Sequence, residues 1–209
     1  MEENESPVFR LLRKDEIPQL VRLMEDTNTS INGVCSGRLN YTICQDALLN
    51  KQVVALVSSM KGRITGYVLA VIDRALYWRN FTLRHPFMAI VVGALKIINK
   101  LAKKNKKIPS CISLPKEVSD GPSGRTWRES TPQIAKILNI GVSGDFRGKG
   151  VGKNLYNNLF RLLANRGLKR IDANISFDNL ASIRLHISTG WRIEKTGSNL
   201  FATIDIMDK

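Results

Sequence analysis

The chain has 209 residues, enough for one domain with a substantial hydrophobic core. Hydrophobic residues make up 43% and charged residues 24%, the balance of a globular protein rather than a fibrous, disordered or membrane-spanning one. The net charge of +14 is unevenly placed: residues 74–107 hold nine Lys or Arg and no Asp or Glu, so the remainder carries only +5. Such a stretch fits an anionic partner (a membrane surface, a nucleic acid, a phosphorylated substrate, a phosphate-rich cofactor) or a solvated basic face.

Three cysteines without a CxxC pair, Cys35, Cys44 and Cys111, suggest neither a disulfide framework nor a zinc site. With only His85 and His186 as histidines, no metal centre is expected. The acidic start Met1–Pro7 does not read as a signal peptide, and a reducing, cytoplasmic compartment is expected.

In chain order, Val8–Leu12 predicts a first strand. Asp15 then caps a helix from about Glu16 to Asp26, with Ile17, Leu20, Val21 and Met24 on one face. A loop with Asn28, Asn32 and Gly33 leads to a weaker helix over Tyr41–Leu49. Gln52–Ser58 and Thr65–Ile72 predict two strands joined by a hairpin turn at Lys61-Gly62-Arg63. Residues 74–131 interrupt the pattern with an apolar helix over Phe87–Ala102, a lysine run from Lys103 to Lys107, and a polar loop through Ser119, Asp120 and Gly121. Then come a strand at Ile134–Val142, a helix at Gly150–Asn165, a strand around Ile171–Ser176, a short helix at Asn179–Thr189, and strands at Trp191–Lys195 and Leu200–Ile206. This order predicts an α/β (α+β) layer fold around one central sheet, in a single domain spanning 1–209 with 74–131 as an insertion.

The most informative segment is Ile140-Gly-Val-Ser-Gly-Asp-Phe-Arg-Gly-Lys-Gly-Val-Gly-Lys-Asn154, which runs from a strand through a turn into a helix. Gly148, Gly150 and Gly152 let backbone N–H groups approach a ligand closely. A helix N-terminus adds unpaired donors and partial positive charge, and Arg147, Lys149 and Lys153 add full charges. Together they suit a phosphate or pyrophosphate. The dinucleotide fingerprint fails because its third glycine should fall one position after Gly152. The P-loop fails because Gly148–Lys153 is one residue short and Asn154 stands where a Ser or Thr should hold Mg²⁺.

Arg147, Gly150 and Gly152 form an Arg-x-x-Gly-x-Gly pattern that resembles the acyl-CoA loop of the GNAT superfamily of N-acetyltransferases. Asn179-Leu-Ala-Ser-Ile-Arg-Leu-His-Ile-Ser-Thr-Gly-Trp191 is similar to that superfamily's later motif, in which an Asn opens a helix ending at Gly-Phe or Gly-Trp. The resemblance covers about residues 132–206, is compatible with 8–72, and leaves 74–131 unexplained. It implies a mixed, mostly antiparallel sheet of six or seven strands flanked by about four helices, with acyl-CoA between two splayed parallel strands, here Ile134–Val142 and Arg170–Ser176.

The resemblance further implies that the pantetheine arm pairs with the first of these strands at Ile140 and Val142, where a backbone N–H polarises the thioester. The pyrophosphate would rest on Arg147, Gly148, Lys149, Gly150, Val151, Gly152 and Lys153, and Asn179 would contact the cofactor or cap its helix. The implied activity is N-acyl transfer, with acetyl the commonest group, from acyl-CoA to an amine by direct attack in a ternary complex without a metal. His186 stands where the family usually has Tyr and is a candidate general acid, with a packed core histidine as the other reading. The general base is open: Glu129, Glu25 and Asp26 are weak candidates, and Asn139 lies where some members carry an acid on the strand.

Residues 74–131 flank the expected acceptor site. The apolar run Phe87–Leu95 is too short to cross a bilayer. With Trp78, Arg79, Arg84 and the lysines it could lie in a membrane interface, cover a hydrophobic acceptor or acyl chain, or serve as a core or homodimer helix. No specific nucleic-acid binding is expected, because no recognition motif accompanies the lysines. Two other function classes stay open: a GNAT domain that binds acyl-CoA without turnover, and a basic nucleic-acid-binding protein.

Overall fold

The computed structural model describes residues 6–27, 37–87, 90, 94, 118–120, 134–196 and 199–206. The expected loop at 28–33, most of the expected helix over Phe87–Ala102, the lysine run and Glu129 lie outside these residues. The fold class is the expected α/β one. A single mixed sheet has the strand order β1-β2-β3-β5-β6-β8-β7-β4. Its strands are β1 (Val8–Leu11), β2 (Val53–Met60), β3 (Arg63–Val71), β4 (Val118–Asp120), β5 (Ile134–Val142), β6 (Arg170–Ile175), β7 (Arg192–Thr196) and β8 (Asn199–Asp205). The described helices are α1 (Ile17–Asp26), α2 (Gly37–Leu49), α3 (Arg74–Arg84), α4 (Val151–Ala164) and α5 (Leu180–Ser188). Seven of the strands make the expected sheet, and the three-residue β4 joins its outer edge.

β2 and β3 are the central hairpin. Their side chains are buried on both faces, as their near-continuous Val, Leu, Ile and Ala content requires. Lys61 and Gly62, at φ 50° and 74°, form the two-residue turn that suits the twist of paired strands. Val54, Leu56, Val68 and Ala70 point to one face and meet α4 through Leu155, Leu159 and Leu163. Val53, Ala55, Val57, Leu69 and Val71 point to the other and meet α1, α2 and α3. The sheet therefore sits between two helical layers, each with its own apolar core.

Two local expectations are corrected, and one unassigned stretch gains an element. Asp15 does not cap α1, because a 3₁₀ turn at Lys14–Glu16 precedes the helix and the N-cap is Glu16. The Glu16 carboxylate instead pairs with Arg10 and accepts from the Arg13 N–H, fixing the approach to the helix. Residues 74–84, to which the sequence analysis assigns no element, form α3, started by the Asp73 carboxylate accepting from Leu76 N–H at 2.9 Å. Residues 118–120, read as loop, are a strand parallel to β7, since an open sheet edge offers backbone pairing whatever the side chains.

α3 is held in place by aromatic packing and one ion pair. Tyr77 and Phe81 are buried, with ring centroids 5.8 Å apart. Arg84 reaches back to the buried Asp46 of α2 with contacts of 2.7 and 3.1 Å. The α4 layer is the tighter lock: Leu155 is fully buried between helix and sheet. Leu155→Ala is expected to lower unfolding stability by about 3 kcal/mol, the typical cost of a deep Leu-to-Ala cavity, as read by urea denaturation.

Candidate functional site

The site begins where β5 leaves β6. The two strands run parallel but pair only over Ile134–Lys136 with Arg170–Asp172. Beyond this point β6 continues along β8 and β5 along β3, so a gap opens between them toward their carboxyl ends. The register of β3 against β5 jumps from Leu69↔Asn139 to Ala70↔Ile137, which makes Leu138 the extra residue of a β-bulge. A bulge bends its strand and strengthens local twist, and here it lies at the start of the divergence.

The backbone beyond the bulge faces the gap in a regular way. Ser143 N–H donates to the Thr65 carbonyl at 2.9 Å, so Ser143 points toward β3. Alternation along a strand then turns Gly141 toward β3, and turns the N–H and C=O of Ile140 and Val142 into the gap. The Val142 carbonyl takes a hydrogen bond from Arg147 Nε at 3.3 Å, which confirms its direction. Ile140 and Val142 thus present their backbone polar groups to the gap between β5 and β6.

The glycine loop closes the same end of the gap. Gly148 and Gly150 have φ of 74° and 77°, the left-handed region that L side chains rarely adopt. Gly150 is the N-cap of α4 and supplies no capping side chain. The first bond of the helix is Asn154 N–H to the Gly150 carbonyl, so the N–H groups of Val151, Gly152 and Lys153 precede the helical ladder. The helix start lies close on β3: a Cβ at Gly66 would come within 3.0 Å of Val151 Cγ1 and 3.1 Å of Leu155 Cδ1. Arg147, Lys149 and Lys153 surround it, with Lys149 Nζ 5.3 Å from the Phe146 ring centroid. Free donors, dipole and cations are what a pyrophosphate needs.

α5 follows β6 as α4 follows β5, so both helix N-termini lie at the carboxyl ends of the diverging strands. The Asn179 Oδ1 accepts from Ser182 N–H at 3.0 Å and caps α5, which leaves its amide nitrogen free of that role. The two helices pack together, and a Cβ at Gly152 would lie 3.1 Å from Leu185 Cδ2.

His186 is a correction. It lies in the core rather than at the gap, 2% exposed, with Trp191 and Tyr156 ring centroids at 4.8 and 5.2 Å. Its Nδ1 is 2.7 Å from the Ser182 carbonyl and must donate to it, since a carbonyl only accepts. Its Nε2 is 2.8 Å from the Tyr156 hydroxyl and accepts from it. Burial pushes its pKa down to about 4, against a smaller opposing effect of the bond to Ser182. A neutral imidazole with both nitrogens engaged has no proton ready for a leaving thiolate, so the general-acid reading is not carried forward.

Sequence reasoning missed Lys136, at the last paired position before the gap. Burial, then the charge of Arg74, lowers its pKa to about 8, against a raising effect from Asp172. A lone lysine in an apolar strand was the available signal. Glu25 and Asp26 end α1. Among the described residues no group of three His, Cys, Asp or Glu is placed to hold a metal ion.

A sheet opened between two parallel strands, with a glycine loop and two helix starts at the opening, is the GNAT fold. The family model for the acetyltransferase (GNAT) family matches residues 99–191 of this chain. Solved structures agree over nearly the whole length. The ribosomal-protein-S18-alanine N-acetyltransferase of Escherichia coli has a TM-score of 0.58 at 12% identity, covering 98% of this chain and 96% of that one. The PaiA N-acetyltransferase of Thermoplasma acidophilum, solved with coenzyme A, has a TM-score of 0.60 at 11% identity, covering 96% and 99%. YncA of Salmonella typhimurium, solved with its cofactor acetyl-CoA, has a TM-score of 0.58 at 14% identity, covering 98% and 96%. No curated protein matches this chain.

The buried His186 makes stability depend on pH. Its folded pKa of about 4 lies below the ordinary 6.5, so the unfolded chain takes up the proton first. Stability present above about pH 6.5 is therefore lost as pH falls through 4, by on the order of 3 kcal/mol. Melting temperatures measured from pH 7 to 4 should fall less steeply in His186→Gln, which does not titrate.

Proposed function

We propose that this protein is an acyl-CoA-dependent N-acyltransferase, with acetyl as the transferred group, acting on a small-molecule or protein amine. The observation that carries this reading is the gap itself: inward-facing backbone at Ile140 and Val142 leads directly to the uncapped N-terminus of α4. The residues fit the ligand. The gap edge of β5 offers a strand-like row of donors and acceptors to an amide-containing arm such as pantetheine. The positive-φ glycines offer a cradle for its pyrophosphate, since a Cβ at Gly148 or Gly150 would meet no atom within 4 Å.

Acyl-CoA supplies an activated thioester: with both substrates bound together, the lone pair of a neutral amine forms the new C–N bond, the C–S bond breaks to release CoA thiolate, and the proton shed by the amine nitrogen passes through solvent to that thiolate. The chain's part is positioning and polarisation. The N–H groups of Ile140 and Val142 align the arm, and one of them donates to the thioester oxygen as negative charge develops there. Arg147, Lys149 and Lys153, with the N–H groups from Gly148 to Lys153, hold the phosphates. The Asn179 side-chain amide contacts the cofactor from the start of α5, while its oxygen holds the cap. His186 and Tyr156 keep α5 seated on α4 and take no proton.

A second reading, an acyl-CoA-binding domain without turnover, is favoured by the burial of His186 where a proton donor was expected. Thiol release across a panel of amines separates the two readings, because only an enzyme releases CoA in step with acceptor.

Thermal melting tests the shared claim. Acetyl-CoA at 100 times its Kd should add about 2.7 kcal/mol of stability, and ATP or NAD should add none. Gly150→Val forces a β-branched residue into a left-handed conformation and should weaken acetyl-CoA binding about tenfold or more. A shift with ATP equal to that with acetyl-CoA would count against the proposal.

A further inference from the structure

The layer formed by α1, α2 and α3 ends in a surface that the acyl-transfer reading does not use. Leu49 at the end of α2 is 83% exposed, and Leu83 at the end of α3 is 76% exposed. The Arg84–Asp46 ion pair holds these two helix ends side by side. Past Pro86 the backbone is again helical at Phe87, Ile90 and Ala94, and all three side chains are exposed. In sequence they recur at a spacing of three and four, the spacing of one face of a helix. An apolar stripe at this spacing belongs against a core, yet Phe87 is 67% and Ile90 70% exposed.

The described residues next to the exposed leucines, and the sequence that follows them, are basic. Lys51 and Arg79 are exposed, and no acidic residue occurs anywhere from 74 to 107. We propose that this face docks the protein onto an anionic membrane surface, with Leu49, Leu83, Phe87 and Ile90 entering the headgroup boundary. Apolar side chains flanked by cations bind anionic bilayers by burial and by attraction together. A second copy of the same face is disfavoured, because two such surfaces would bring their cations together. The contact is peripheral: among the described residues no helix is long and apolar enough to cross a membrane. The α1–α3 layer lies across the sheet from α4, so docking leaves the glycine loop in water.

Co-sedimentation with vesicles tests this. The protein should bind phosphatidylcholine/phosphatidylglycerol vesicles at least about tenfold more tightly than pure phosphatidylcholine vesicles, and ~0.5 M salt should weaken that binding. Phe87→Glu/Ile90→Glu should abolish most of it, about tenfold or more, while leaving the melting temperature and the acetyl-CoA shift unchanged, since both side chains are exposed. That retained shift separates failure of docking from failure of the acyl-CoA site. Absence of binding to phosphatidylglycerol vesicles would overturn the proposal, as would binding that the double variant does not weaken. A dimer in light scattering that the double variant dissociates would also overturn it, assigning the face to a second copy.

Discussion

The structure depends on one backbone event, the parting of β5 from β6 after Lys136 and Asp172. Three residue pairs tie the strands together, and from there each strand satisfies its hydrogen bonds on its other side only. Backbone donors and acceptors left along the gap cannot stay unpaired without cost, so they favour an occupant that pairs like a strand. The bulge at Leu138 and the alternation set by Ser143 decide that Ile140 and Val142 present their polar groups there.

What surrounds the gap keeps it open. α4 and α5 start at its mouth and lie against each other through Gly152 and Leu185, while Gly66 lets α4 settle directly on β3. The buried set of Tyr156, His186 and Trp191 joins α5 to α4 through ring packing and the hydrogen bond from the Tyr156 hydroxyl to His186 Nε2. These side chains act on the shape of the site rather than on its chemistry. On the far side of the sheet, α3 extends the α1–α2 layer and carries the chain into the basic, apolar stretch.

Much of this was legible before the structure. β5 was read at its full extent because Ile134–Val142 is apolar and ends at the glycine loop. The loop was legible from its three alternating glycines and adjacent cations, and α5 from Asn179 and Gly190-Trp191. Other features depend on tertiary context. α3 buries only Tyr77 and Phe81, so its periodicity is faint. β4 is three residues within a polar stretch, and only an open edge makes it a strand. The fate of His186 follows from α5 burying Ile183 and His186 together, a choice of helix face that its residue type alone did not reveal. The bulge at Leu138 is a matter of register, which no single strand's sequence carries.

The central claim is that acyl-CoA lies along β5 with its phosphates on the α4 start. Hydrogen–deuterium exchange with and without acetyl-CoA tests it most directly. The account predicts new protection at the amides of Ile140 and Val142 and from Gly148 to Lys153, with little change in β2, whose amides are already paired. Binding of acetyl-CoA that leaves those amides unprotected and protects another part of the chain would contradict it.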